Sequence, residues 1–194
     1  MRKLLLVAVL LLGFSVMAVA QDTPAVEIFG GYSYMRCDAN QFVFGGAEDA
    51  DVDCGLHGWN FSGAINANKA VGAVIDVSGQ YGTVGVEGDE VDARFHSFMF
   101  GPKFTMRSGR VTPFAQALFG FSSVKIEADE ANEDALSYTE IDFSMAFGGG
   151  LDINVGEKVA IRPVQVDYFL TRSGGQFMDN FRYSAGLVIK LGKR

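Results

Sequence analysis

The stretch that most limits what this chain can become is Ile141–Asn154, IDFSMAFGGGLDIN. Its odd positions carry Ile141, Phe143, Met145, Phe147, Gly149, Leu151 and Ile153; its even positions carry Asp142, Ser144, Ala146, Gly148, Gly150, Asp152 and Asn154. Successive side chains of a strand point to opposite faces, so the pattern predicts a strand with one large apolar face and one small or charged face. A helix would smear both sets around its surface, and three consecutive glycines would weaken it. At fourteen residues the stretch exceeds the five or six or so typical of soluble sheets and covers the roughly 9–11 that cross a bilayer at a tilt. A soluble sandwich buries its large apolar face in a core. A small membrane barrel turns that face to lipid and fills its interior with small and charged groups.

The N-terminus predicts export, which leaves a soluble periplasmic protein, a secreted one and an outer-membrane barrel open. Arg2 and Lys3, the apolar run Leu4–Leu12 and the small residues Ala18-Val19-Ala20 form a secretory leader. Residues 1–20 are therefore expected to be cleaved, leaving 21–194 as one domain. The apolar run is too short to span a bilayer as a helix, and no later stretch is long and apolar enough to do so. The chain has a formal net charge of −7 and becomes more acidic once Arg2 and Lys3 are lost, which argues against a nucleic-acid partner. Its two cysteines, Cys37 and Cys54, predict a disulfide in an exported protein.

Further strands are predicted at Val26–Arg36, Leu56–Ala67, Val71–Tyr81, Arg94–Met106, Val111–Ile126, Val159–Thr171 and from Phe181 to Leu191. Three break strict alternation. Phe29 sits on the polar face of the first strand. Phe114 and Leu118 fit neither face of the fifth cleanly. Arg162, Gln165 and Asp167 do not keep one parity in the seventh, which a bulge at Pro163 would repair.

Eight strands result, joined alternately by long loops (37–55, 82–93, 127–140, 172–179) and short turns. This is the rhythm of a transmembrane barrel, with both termini on the short-turn, periplasmic side. The first three long loops carry five, four and six acids and no Lys or Arg, whereas Lys69, Arg107, Arg110, Lys158, Lys193 and Arg194 occupy the turns and tail. Tyr32, Tyr34, Trp59, Phe61, Tyr81, Tyr168, Phe181 and Tyr183 cluster near the long-loop ends, like an interfacial girdle.

EIFGGYSY (27–34), FMFGPKF (98–104), TPFAQALFG (112–120) and AGLVIKLG (185–192) resemble segments of the eight-stranded outer-membrane β-barrel family, the OmpA/OmpX-like and opacity-like barrels. The resemblance covers essentially the whole mature chain. It implies an all-β, eight-stranded antiparallel up-and-down transmembrane barrel in the outer membrane, with lipid and the barrel-insertion machinery as partners. It says little of activity, since a common barrel hosts structural, adhesive and loop-binding members. Members often end on an aromatic that the insertion machinery reads; here Leu191 takes that place.

Glu27, Asp76, Lys103, Asp142, Asp152, Arg162, Asp167, Arg182 and Lys190 all fall on predicted interior faces. Unpaired buried charges are costly, so they must pair or meet water. Eight-stranded barrels have filled interiors, so a salt-bridged plug is expected ahead of a charged ion path. Asp49, Asp51 and Asp53 have the spacing of a calcium loop, but Cys54 and Asn60 stand where glycine and glutamate are required. A looser gathering of divalent cations or lipopolysaccharide at the acidic loops stays open beside a solvated acidic surface. No catalytic motif is present. His57 and His96, with acids and Ser97 nearby, permit a His–Asp pairing without indicating one. The expectation is thus a monomeric barrel without enzymatic activity, metal or cofactor, structural or adhesion-like through its outer loops. A small ion-conducting pore and a soluble lipocalin-like carrier are the alternatives; the carrier's usual Gly-x-Trp signature is missing, since Gly58 and Trp59 are adjacent.

Overall fold

The computed structural model describes residues 23–38, 53–86, 89–107, 109–128, 138–173 and 176–193. The expected leader, Asp49 and Asp51 lie outside them. Eight strands form one closed barrel in sequence order: β1 (Val26–Asp38), β2 (Asp53–Asn66), β3 (Val71–Val86), β4 (Asp89–Thr105), β5 (Val111–Ala128), β6 (Tyr138–Asn154), β7 (Val159–Ser173) and β8 (Gln176–Leu191). Every neighbouring pair is antiparallel, and β8 returns to β1 with Val26 opposite Leu191 and Tyr34 opposite Tyr183. Closure leaves no strand edge open, the condition for a sheet to stand in hydrocarbon.

The alternation of Ile141–Asn154 is realised in β6. Ile141, Phe143, Phe147, Leu151 and Ile153 are exposed on the outer wall, while Ser144, Ala146 and Asp152 are buried inside. The same inversion runs round the barrel. Ile65, Ile75, Phe98, Phe100, Phe104, Phe121, Leu187 and Ile189 point outward, and Asn60, Asp76, Gln80, Ser97, Gln116, Gln165 and Arg182 point inward. Large apolar side chains outside and polar ones inside are the mark of a membrane barrel and the reverse of a carrier with an oily cavity.

The short turns follow local chemistry. Asn68 Oδ1 accepts hydrogen bonds from the backbone N–H groups of Ala70 (2.8 Å) and Val71 (2.9 Å), closing the β2–β3 turn. Gly109 takes φ = +69° in the β4–β5 turn, where a side chain would be strained.

Two sequence expectations need correction. Within Gly82–Ala93 and Arg172–Asp179 the described residues are strand rather than loop. β3 and β4 stay paired up to Val86 opposite Asp89, and β7 and β8 up to Ser173 opposite Gln176. β5 and β6 likewise reach Ala128 and Tyr138. The ladder thus continues past the stretches in which apolar alternation reveals it. The misfits also resolve: Phe29, Phe114 and Leu118 are all buried inside. The register of β7 against β8 shifts between Arg162 and Gln165, with Pro163 and Val164 both outward, so the expected bulge brings Arg162, Gln165 and Asp167 onto the interior face.

Candidate functional site

The side chains that converge most densely are those inside the barrel. At the short-turn end, Glu27 of β1 is held by two cations: Lys103 Nζ of β4 at 2.8 Å and Arg107 Nη2 at 2.6 Å. Arg107 also donates through Nη1 to the Lys69 carbonyl at 2.5 Å. Beside them Arg162 grips Asp152 with two bonds, Nε to Oδ1 at 2.7 Å and Nη2 to Oδ2 at 3.0 Å. Its guanidinium lies between the rings of Phe29 and Phe114, 4.3 and 4.2 Å from their centroids, and Lys103 Nζ stands 4.5 Å from the Phe114 centroid. Aromatic rings on an otherwise polar face therefore have a physical reason: they stack on desolvated cations.

Gln165 carries the network onward. Its Oε1 accepts from Arg162 Nη1 and its Nε2 donates to Asp167 Oδ2, both at 2.7 Å. Arg182, 0 % exposed, donates Nη1 to Asp76 Oδ1 at 2.7 Å, and Nη2 and Nε to Asp167 Oδ2 at 2.8 and 3.1 Å. Asn60 completes Asp76 (2.9 Å) and Gln116 completes Asp167 (3.0 Å). A continuous chain results: Asp152, Arg162, Gln165, Asp167, Arg182, Asp76, Asn60. Room for it is built into β6. Gly148 lies opposite Asp167, and a Cβ there would sit 2.2 Å from Asp167 Oδ1.

An apolar cluster packs against this chain. It comprises Met35, Leu56, Ala64, Val74, Ala93, Phe95, Met99, Leu118, Ala146 and Phe169. Phe169 is the contact between the two, its centroid 4.8 Å from the Arg182 guanidinium carbon, and it meets Phe95 edge-on at 5.9 Å. Hydroxyl pairs fill the remainder, among them Ser78 with Ser97 at 2.8 Å and Ser122 with Ser144 at 2.5 Å.

Of the charged residues singled out from the sequence, Glu27, Asp76, Lys103, Asp152, Arg162, Asp167 and Arg182 are buried in these contacts. Lys190 is half-buried and meets the Asn154 side-chain oxygen. Asp142 is half-buried on the same interior face towards the long-loop end of β6. Sequence reading missed Arg107, which it placed in a turn, and the amides Asn60, Gln116 and Gln165. Asn60 and Gln116 showed the inward parity that could have flagged them, whereas Gln165 joins the interior face with Arg162 only through the bulge between them.

Cys37 and Cys54 lie directly opposite each other in the β1–β2 register. Their side chains, like most of the first and third acidic loops, are outside the described residues. His57 and His96 sit on the outer wall and pair with tyrosines, His57 Nδ1 with the Tyr32 hydroxyl and His96 Nε2 with Tyr81 at 3.0 Å. Ser97, adjacent in sequence to His96, points to the opposite, interior face. The described histidine contacts are thus tyrosine contacts rather than an acid–base pair.

Solved structures share the fold. Neisserial surface protein A superposes with a TM-score of 0.64 at 10% identity, covering 86% of this chain and 97% of that one. The attachment invasion locus protein Ail of Yersinia pestis gives 0.56 at 16% identity, with 86% and 100% covered. The outer membrane protein OprG of Pseudomonas aeruginosa gives 0.56 at 13%, with 88% and 97% covered. No curated protein sequence matches the chain. The resemblance noted in the sequence is borne out by the match of residues 6–190 to one family model, and the chain belongs to the outer membrane protein β-barrel domain family.

Proposed function

We propose that this outer-membrane protein is a monomeric barrel with a sealed lumen, and that it acts at the cell surface through its acidic long loops. The observation that carries the reading is the buried chain from Asp152 to Asn60, with Arg162 and Arg182 each closed onto carboxylates. Such a network occupies the space an ion would need, and every member gains from staying paired. With the interior committed to structure, the parts free to vary are the loops, as befits a scaffold presenting binding segments.

In this reading residues 1–20 are a cleaved leader and both termini lie in the periplasm. The acidic loops face outward, where divalent cations or lipopolysaccharide are candidate partners. The register of Cys37 against Cys54 supports a cross-strand disulfide at the root of the first loop, since directly opposed residues come within disulfide reach. The surface role is tested by replacing residues 39–52 and 129–137 with short glycine-serine turns. The expected result is normal membrane insertion with loss of cell-surface adhesion. Loss of insertion would show that the loops serve assembly and overturn the division of roles.

A further inference from the structure

The short-turn mouth of the barrel is a half-open bowl of about 580 Å³. Glu157 and Lys158 of the β6–β7 turn, Lys190 and Lys193 at the end of the chain, and Arg107 line it, with Thr112 and Asn154 among the polar residues. Among the described lining residues cations outnumber carboxylates. Glu27 already serves both Lys103 and Arg107. Both oxygens of Asp152 are taken by Arg162. Lys190 meets a neutral amide, Asn154. Glu157 is the single acid among the described residues of the lining.

Two of these cations are also held in place. Arg107 is anchored by Glu27 and the Lys69 carbonyl, which engages two of the roughly five donors a guanidinium carries. Lys190 is anchored by Asn154, itself fixed through Nδ2 to the Gly109 carbonyl (3.1 Å) and the Thr112 hydroxyl (3.2 Å). A concave, protein-walled mouth lined by excess positive charge focuses its field on anions. Forked guanidinium donors beside ammonium point charges suit phosphate-type oxygens. The bowl is also many times the ~30 Å³ share of one water molecule, so it admits more than a single small ion.

We propose that this mouth binds a phosphate-type oxyanion carrying two or more charges, held by Arg107, Lys158, Lys190 and Lys193. The phosphate can come from a soluble phosphorylated molecule or from an anionic lipid headgroup of the adjoining leaflet.

The test is isothermal titration of inorganic pyrophosphate into the full barrel in a maltoside detergent, which brings no phosphate of its own. Saturable one-site binding that weakens with added salt is expected. The exposed pair Lys158→Gln/Lys193→Gln should weaken it about tenfold or more, a change of about 1.4 kcal/mol. Arg94→Gln/Lys125→Gln, at the opposite end, should leave it unchanged. Absence of saturable binding up to about 10 mM, well past a millimolar Kd, overturns the proposal, as does a Lys158→Gln/Lys193→Gln protein that titrates like wild type. Trp59 emission establishes that each variant is folded. Repeating the titration in phosphatidylcholine vesicles with and without phosphatidylglycerol identifies the source: competition by the anionic lipid assigns the site to a headgroup, and its absence assigns it to a soluble anion.

Discussion

Arg182→Met isolates the centre of the interior network. The substitution keeps a long side chain under Phe169 but removes the one guanidinium that joins Asp76 to Asp167. Three hydrogen bonds disappear, at 2.7, 2.8 and 3.1 Å, around a side chain that is 0 % exposed. Hydrogen bonds to charged groups contribute about 1.5–3 kcal/mol each, but they share partners here and do not add simply. Removing one partner of a buried ion pair costs about 3–5 kcal/mol, chiefly because the remaining charge is left uncompensated. Two carboxylates are left in this case, so a loss of about 4 kcal/mol is expected, about a thousandfold in the folding equilibrium. The assay is urea unfolding in lipid vesicles followed by Trp59, the single tryptophan of the chain, which faces outward. Most of the loss should be regained in Arg182→Met/Asp76→Asn/Asp167→Asn, where the stranded charges are also gone. A loss below about 1 kcal/mol, the range of an exposed pair, would refute the reasoning, as would a triple variant no more stable than the single one.

Other substitutions probe the remaining layers. Phe169→Ala removes the ring that joins Arg182 to Phe95 and should cost about 3–5 kcal/mol in the same unfolding assay. Gly148→Ala drives a Cβ to 2.2 Å from Asp167 Oδ1 and should destabilise by about 1–3 kcal/mol, whereas Gly63→Ala, with nothing within 4 Å, should sit within about 0.5 kcal/mol of wild type. Mass spectrometry of the unreduced chain should find Cys37 and Cys54 joined, and Cys37→Ser/Cys54→Ser should lower stability by about 3 kcal/mol if loop-closure entropy governs. Free thiols in the exported protein would contradict the cross-strand bridge.

How far the sequence alone could reach follows from what each residue reports locally. Inside the bilayer one face meets lipid and the other meets side chains, so parity is written into Ile141–Asn154 and into the runs of Phe98, Phe100 and Phe104. Val84, Glu90 and Thr139 belong to strands that run on past the alternating stretches, so the pattern falls silent although pairing persists. Phe29 and Phe114 looked misplaced because polarity alone cannot tell an aromatic that stacks on Arg162 from one that faces lipid. The partners of the charges were not legible at all. Glu27 and Lys103 stand on strands that meet only across the lumen, 76 positions apart in the chain. Which inward residues touch depends on strand tilt and register, and on the bulge after Arg162, rather than on any local spacing. Arg107 escaped notice because a turn residue that folds back into the mouth carries no periodic signal.

The claim on which the account rests is that the interior is closed by its own side chains. The most direct measurement is the current across a planar bilayer holding the refolded mature chain, with insertion established independently by protease protection. Inserted protein without discrete conductance steps is the expected result. Steps whose ion preference shifts when Arg162, Arg182 or Asp142 is neutralised would mean that these charges line an open path, and would contradict it.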